Sequence, residues 1–172
     1  MLKPDSLRAA LTAAIVDDDG IKTLERDPAK LAIFIDQGRI AGRAGGSKGF
    51  EWRYRLQAIL TDFTGNVDVV ALTVMLWLAE NQPETLQNHQ AANEAIKFDA
   101  DIIDASTIDL ALTLELNEAV DAVPRPGGGF DIVHRLEPDA TPPFDDVPAD
   151  TPLLQFYLHD ELILDFTPEP AP

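Results

Sequence analysis

The fold is decided by residues 50–61, which read Phe50-Glu51-Trp52-Arg53-Tyr54-Arg55-Leu56-Gln57-Ala58-Ile59-Leu60-Thr61. Apolar side chains occupy every even position, and mostly polar side chains occupy the odd positions. This period of two is typical of a β-strand with one buried face. A strand of this length has to lay that face on a core, so the pattern predicts a sheet that is covered on one side.

Two helices are predicted to supply that cover. Residues 4–18 carry apolar side chains at the three- and four-residue spacing of one helical face, with Asp5 or Ser6 as the N-cap. Residues 67–80 are mostly apolar, so we expect this helix to be buried on most sides. Gln82-Pro83 ends it, because the residue before a proline disfavours the helical conformation.

Further alternating segments predict the rest of the sheet. A hairpin is predicted over residues 31–43, with its turn at Asp36-Gln37-Gly38, and single strands over 95–104, 106–117 and 130–136. Consecutive strands favour antiparallel pairing. The fold class is therefore α+β, two helices packed on a mainly antiparallel mixed sheet, with a proline-rich arm and a C-terminal β-hairpin.

The chain is predicted to divide into three parts. Residues 1–136 form the α+β domain, residues 137–152 form an acidic proline-rich arm, and residues 153–172 form the C-terminal hairpin and tail. The arm has few large apolar side chains, which is typical of a segment without regular structure.

Composition excludes several classes of function. The 172 residues include no cysteine, which rules out disulfides and thiol chemistry. The net charge is −17, and residues 101–172 carry 16 acids against Arg125 and Arg135 alone. Nucleic acids and anionic membranes are bound by basic residues, so neither sequence-specific nucleic-acid binding nor membrane binding is expected. The longest apolar run, Val69 to Ala79, is too short to span a membrane, and the N-terminal residues do not resemble a secretory signal.

Motifs that could carry chemistry are weak. Gly45-Gly46-Ser47-Lys48-Gly49 matches the G-x-S-x-G pattern of hydrolases, but that motif requires a strand-to-helix turn, and here a strand follows. A flexible loop is the favoured interpretation, and a hydrolase using Ser47 is the third hypothesis for function. His89, His134 and His159 are scattered, so no catalytic, metal-binding or cofactor-binding residue is predicted.

A basic cluster is the main candidate for a binding surface. Arg39, Arg43, Arg53 and Arg55 lie within seventeen residues of one another. They form either a solvated sheet face or a docking surface for the acidic second half of another copy. A contact between two different patches of the same protein closes into a ring. The apolar terminal hairpin adds Phe156, Tyr157, Leu158 and Leu162 as candidate interface residues.

Several of these segments resemble the tail completion protein R family of P2-type contractile-tailed phages. They are the start from Met1 to Leu11, Ile33 to Ala41, Phe50 to Pro83 and Leu158 to Leu162. The resemblance implies a structural virion protein at the neck end of the tail, assembled in the bacterial cytoplasm.

In that role the chain is expected to terminate the tail as a hexameric ring, which caps tube and sheath and allows the head to join. The expected partners are other copies, the tail tube and sheath proteins and a head-side neck or connector protein, with phage DNA passing through the ring. An acidic surface is also typical of proteins that neutralise basic partners. An assembly chaperone or an inhibitor or immunity protein is therefore the second hypothesis.

Overall fold

The structure is a computed structural model that describes residues 2–16, 22–42, 48–104, 106–137, 155–158 and 161–165. The helices are α1 (Lys3–Ala14), α2 (Thr23–Arg26), a 3-10 turn (Pro28–Lys30), α3 (Val67–Asn81), α4 (Pro83–Gln87) and α5 (His89–Ala92). The strands are β1 (Leu31–Gly42), β2 (Gly49–Phe63), β3 (Ile96–Ile102), β4 (Ile108–Pro124), β5 (Phe130–His134), β6 (Gln155–Leu158) and β7 (Glu161–Asp165). The predicted α+β class is confirmed.

The strand predicted over residues 50–61 is confirmed as β2, which lies inside the main sheet. The strand order is β1-β2-β4-β3, and β5 pairs with the far half of β4. Every pairing among the described strands of this sheet is antiparallel. The side chains of Tyr54, Leu56, Ala58 and Leu60 are buried, as the period of two requires.

The core lies between this face of the sheet and the helices α1 and α3. Leu7 and Leu11 of α1 and Val70 and Val74 of α3 are fully buried against it. Each such side chain contributes about 1.5–3 kcal/mol to stability through the apolar surface removed from water. Asn66 caps α3, because its Oδ1 accepts a hydrogen bond from the Asp68 N–H at 2.8 Å.

The hairpin predicted over residues 31–43 is wrong, because β1 is one strand that pairs with β2 along its length. Asp36 lies in a bulge, where the register shifts, and forms no turn. Gly38 continues the strand opposite Tyr54. Pairing with β2 satisfies the backbone hydrogen bonds that a local turn would have interrupted, so the long-range partner decides the conformation here.

Helix α1 is shorter than predicted and has no side-chain cap. It ends at Ala14, and its N-cap is Leu2 rather than Asp5 or Ser6. The Ser6 hydroxyl instead accepts a hydrogen bond from Trp77 Nε1 at 2.9 Å, which joins α1 to α3. Residues 17 and 18, the last two of the predicted helix, lie outside the described ranges.

The expected burial of α3 on most sides is also wrong. Four of its residues are buried, but Val67, Leu72 and Met75 are exposed. The helix bounds themselves are confirmed, since α3 ends at Asn81 with Gln82 as its C-cap. Helix α3 therefore carries more apolar side chains than the core of this chain buries.

The strands predicted over residues 95–104 and 106–117 are confirmed as β3 and β4, but β4 continues to Pro124. A tight turn then leads into β5. Three consecutive glycines, Gly127–Gly129, have φ values of 91°, 103° and 88°, a conformation that other residues rarely adopt. The short helices α2, α4 and α5 were not predicted.

Gln82 fills a gap on the outer edge of β4 between β3 and β5. Its Oε1 accepts a hydrogen bond from the Asn117 N–H at 3.1 Å, and its Nε2 donates to the Glu115 carbonyl at 3.2 Å. The side chain is buried. One amide thus takes the place of a neighbouring strand and satisfies backbone groups that would otherwise be unpaired.

The predicted C-terminal hairpin is confirmed as the antiparallel pair β6 and β7, which forms a separate two-stranded sheet. The predicted arm, residues 137–152, lies outside the described ranges except for Glu137. The division into three parts therefore stays a prediction. No helix in the described ranges has the length and apolar character that a membrane crossing requires.

We expect Gln82→Leu to lower the free energy of unfolding by about 1–3 kcal/mol, because it leaves the Asn117 N–H and the Glu115 carbonyl without partners. Urea unfolding followed by circular dichroism measures this loss. Gln87→Ala on the exposed side of α4 is the control, and it should change stability by less than about 0.5 kcal/mol. Equal stability of the two variants would contradict the role given to Gln82.

Candidate interaction surfaces

The predicted basic residues lie beside one another on β1 and β2. Arg39 is directly opposite Arg53 in the register, and Arg55 is two residues further along β2. All three line a groove of about 820 Å³, which is walled on another side by residues of α4 and α5. The structure therefore brings Arg39, Arg53 and Arg55 together, as the sequence predicted.

The three arginines differ in their ionic partners. Arg53 pairs with Glu51 at 2.7 Å, and Arg55 pairs with Glu115 at 2.9 Å. The hydrogen bond to Glu115 raises the pKa of the Arg55 guanidinium above its ordinary value. Within the described part of the chain, Arg39 has no carboxylate partner. Arg39 is therefore the cation of this groove that is most available to another molecule.

The remaining predicted interface residues are not tested by the structure. Arg43 lies outside the described ranges. Phe156, Tyr157 and Leu158 belong to β6, and Leu162 belongs to β7, where it is opposite Tyr157 in the register. The side chains of both strands lie outside what the structure describes, so their role stays a prediction.

An exposed apolar surface on β3 was not identified from the sequence. Phe98 is 69% exposed and Ile102 is 80% exposed. Both alternate with charged residues, so the sequence pattern indicated a strand with one buried face. Phe98 and Ile102 are exposed because β3 is the last strand in the order of the sheet. That order follows from the strand pairing and could not be predicted from the sequence pattern.

A buried carboxylate, Glu118, lies beneath the N-terminal end of α1. Its side chain is 4% exposed. Oε1 accepts a hydrogen bond from the Tyr54 hydroxyl at 2.5 Å, and Oε2 accepts one from the Leu2 N–H at 2.8 Å. His134 Nδ1 is 3.3 Å from Oε2 but makes no hydrogen bond with it. Both oxygens of Glu118 accept hydrogen bonds from groups of this chain, so the Glu118 side chain links β4 to Tyr54 of β2 and to Leu2 at the start of α1.

Lys3 extends this polar cluster to Glu137, the first residue of the predicted arm. Its Nζ is 2.7 Å from Glu137 Oε1 and 3.1 Å from Gln82 Oε1. The Lys3 side chain is almost completely buried, where an ion pair is screened less by solvent than at the surface. The start of α1 and the end of the sheet domain are thereby held together.

The described residues include no group of three or more His, Asp or Glu side chains placed to hold a metal ion. Ser47 of the G-x-S-x-G match lies outside the described ranges. The expectation that the chain has no metal, cofactor or catalytic residue therefore stays a prediction.

The comparisons with known proteins agree with one another. The family model described as P2 phage tail completion protein R (GpR) matches residues 1–138. The chain is 37% identical over 163 residues to the tail completion protein R of Escherichia phage P2, which covers 95% of this chain and 97% of the relative. No solved structure matches the chain.

We expect Tyr54 to keep its proton at pH values where a free tyrosine ionises. Burial, and then the hydrogen bond to Glu118, raise the pKa of Tyr54 far above its usual range. The contribution of Tyr54 to stability is complete below pH ~10 and is lost as the pH rises further, because the unfolded chain then releases this proton.

A Tyr157→Phe variant leaves Tyr54 as the single tyrosine of the chain. Its phenolate absorbance should rise only together with the loss of circular dichroism at alkaline pH. The same variant unfolded in urea is the control and should titrate near pH ~10. Ionisation of the folded protein before it unfolds would contradict the buried position of Tyr54.

Proposed function

The chain belongs to the P2 phage tail completion protein R family, and from that membership we propose that it terminates the tail of a contractile-tailed phage. Its role in tail completion follows from the family, and so does its place among the components of the virion tail. The finer proposal is that several copies form a ring, a hexamer, which caps the tube and sheath and allows the head to join. The single observation that carries it is the similarity to the P2 protein along almost the whole length of both chains.

The distribution of charge supports a ring of identical subunits. Arg39 has no carboxylate partner in the described part of the chain, whereas residues 101–172 carry 16 acids and two bases. A basic patch on one copy and an acidic patch on the next form a heterologous contact, which closes into a ring when the rotation between copies is suitable. Arg53 and Arg55 are already paired within their own chain, so Arg39 is the best candidate for this contact.

The strong acidity also supports a position around the path of the DNA. Phosphate backbones bind to Lys and Arg and are repelled by carboxylates. A ring whose inner surface is acidic would let DNA pass without binding it. Assembly of the ring takes place in the bacterial cytoplasm, where tails are built before they join heads.

The C-terminal hairpin is a second contact in this proposal. A two-stranded hairpin is only marginally stable by itself in water, so β6 and β7 gain stability from packing on another surface. Phe156, Tyr157, Leu158 and Leu162 are the residues proposed to pack there. The tail tube and sheath proteins and the head-side neck protein are the other proposed partners, with the arm 137–152 connecting the hairpin to the α+β domain.

Electron microscopy of phage that lack this protein tests the proposal. We expect tails that are too long, frayed at one end or not joined to heads. Tails of normal length with intact ends, joined to heads, would contradict a terminating role.

Charge reversal at Arg39 tests the proposed contact in the same assay. Phage supplied only with Arg39→Glu should show the same defects, since the reversal turns attraction to an acidic neighbour into repulsion. Lys22→Glu is the matched control, because Lys22 is an exposed cation whose partner, Glu25, lies on the same short helical segment. Restoration of normal tails by both variants would remove Arg39 from the interface.

A further inference from the structure

The main sheet has two outer edges, and neither is paired with a strand in the described part of the chain. One edge is β1, and the other is formed by β3 and, further along β4, by β5. The carbonyl of Leu31, at the start of β1, accepts a hydrogen bond from Arg8 Nη1 at 2.9 Å, and from Ala32 onward no described strand except β2 pairs with β1. Open edges present unpaired N–H and C=O groups, which readily pair with another chain.

The edge formed by β3 is unusually apolar for a surface that faces water. Phe98 lies opposite Leu112, which in turn lies opposite Ala58 in the register. Leu112 and Ala58 are buried, whereas Phe98 is exposed. The row of apolar side chains that begins in the core therefore ends at the sheet edge with the exposed side chain of Phe98. A large exposed apolar side chain at this position is typical of an interaction surface.

On the opposite face of this edge, β3 carries the carboxylates of Asp99 and Asp101 and the cation Lys97, which is paired with Glu94 at 3.2 Å. Asp101 lies directly opposite Asp109, and like charges at such positions destabilise a strand pair. Asp99 adds a third carboxylate on the same face. At the other edge, Lys30 immediately precedes β1 and has no carboxylate partner within the described ranges. Asp101 at one edge and Lys30 at the other therefore carry opposite charges.

We propose that β3 of one copy pairs with β1 of the next copy, so that the sheet continues from subunit to subunit. This inference rests on the proposed ring and names the surface that forms it. Since all pairings in the sheet are antiparallel, β4 runs parallel to β1, and β3 runs opposite to β1. A second copy placed beside the first in the same orientation therefore brings β1 against β3 as another antiparallel pair.

The pairing of unlike edges is favoured over the pairing of like edges. Two β3 edges related by a two-fold axis run antiparallel, so a register centred on Ala100 places Asp99 of each copy opposite Asp101 of the other, which is repulsive. The contact between β3 and β1 instead aligns each row of side chains across one sheet with the same row of the next sheet. In the register that places Asp99 opposite Ala32, Asp101 is near Lys30 and Phe98 is near Ile33. Because this contact joins two different patches, it can be repeated around a ring.

Cysteine cross-linking tests this contact well, because the chain has no cysteine of its own. Ala32 and Asp99 occupy the same face at the two edges, three strand spacings apart, or about 14 Å. That distance is too long for a disulfide within one chain. Residues directly opposite across a new antiparallel pair lie about 4.5–5.5 Å apart, which a disulfide spans.

The experiment introduces Ala32→Cys with Asp99→Cys and oxidises tails assembled with this variant. The pairs Phe34→Cys with Asp99→Cys and Ala32→Cys with Asp101→Cys cover a slip of two residues, which keeps the same face. We expect non-reducing gels to show a ladder that extends beyond the dimer. Added Phe98→Lys should reduce the ladder about tenfold. Added Leu136→Lys, at an exposed apolar position outside the sheet, should not.

Three results would overturn the inference. A cross-linked product no larger than a dimer, obtained also with Asp99→Cys alone, would indicate a two-fold contact between two β3 edges. Absence of cross-links from all three pairs, in tails that carry the protein as a ring, would reject this contact and leave the ring proposal in place. Absence of the protein from completed tails would remove both the ring and the contact.

Discussion

The pairing of β2 with β4 is the interaction on which the rest of the structure depends. It runs from Gly49 opposite Asp121 to Phe63 opposite Ile108, and it places two rows of apolar side chains under α1 and α3. The outer edge of β4 then needs three different partners along its length. These are β3, the side chain of Gln82 and β5, so the helical connection after α3 is fixed by the sheet it completes.

The sequence predicted the features that depend on local pattern, and it failed where a distant partner decides. The period of two in β2 and the end of α3 at Gln82-Pro83 are local, and both predictions were correct. The hairpin predicted at Asp36 was wrong because β2 pairs across that position. No pattern in the sequence could show that Gln82 replaces a strand.

The candidate site followed the same division. The cluster of arginines was visible in the sequence, since Arg39, Arg53 and Arg55 are close in the chain. Only the register and the ion pairs show that Glu51 and Glu115 already hold two of them, which leaves Arg39. The exposure of Phe98 also depends on the strand order. Both surfaces lie on one hydrogen-bonded sheet, which suits a protein whose role is tail completion.

The position of the protein in the virion is the central claim, and cryo-electron microscopy of complete phage particles measures it directly. The account predicts a ring of density at the end of the tail that faces the head, into which copies of this α+β domain fit with their sheets side by side. Density for this domain at the opposite end of the tail, or its presence as single separate copies, would contradict the account.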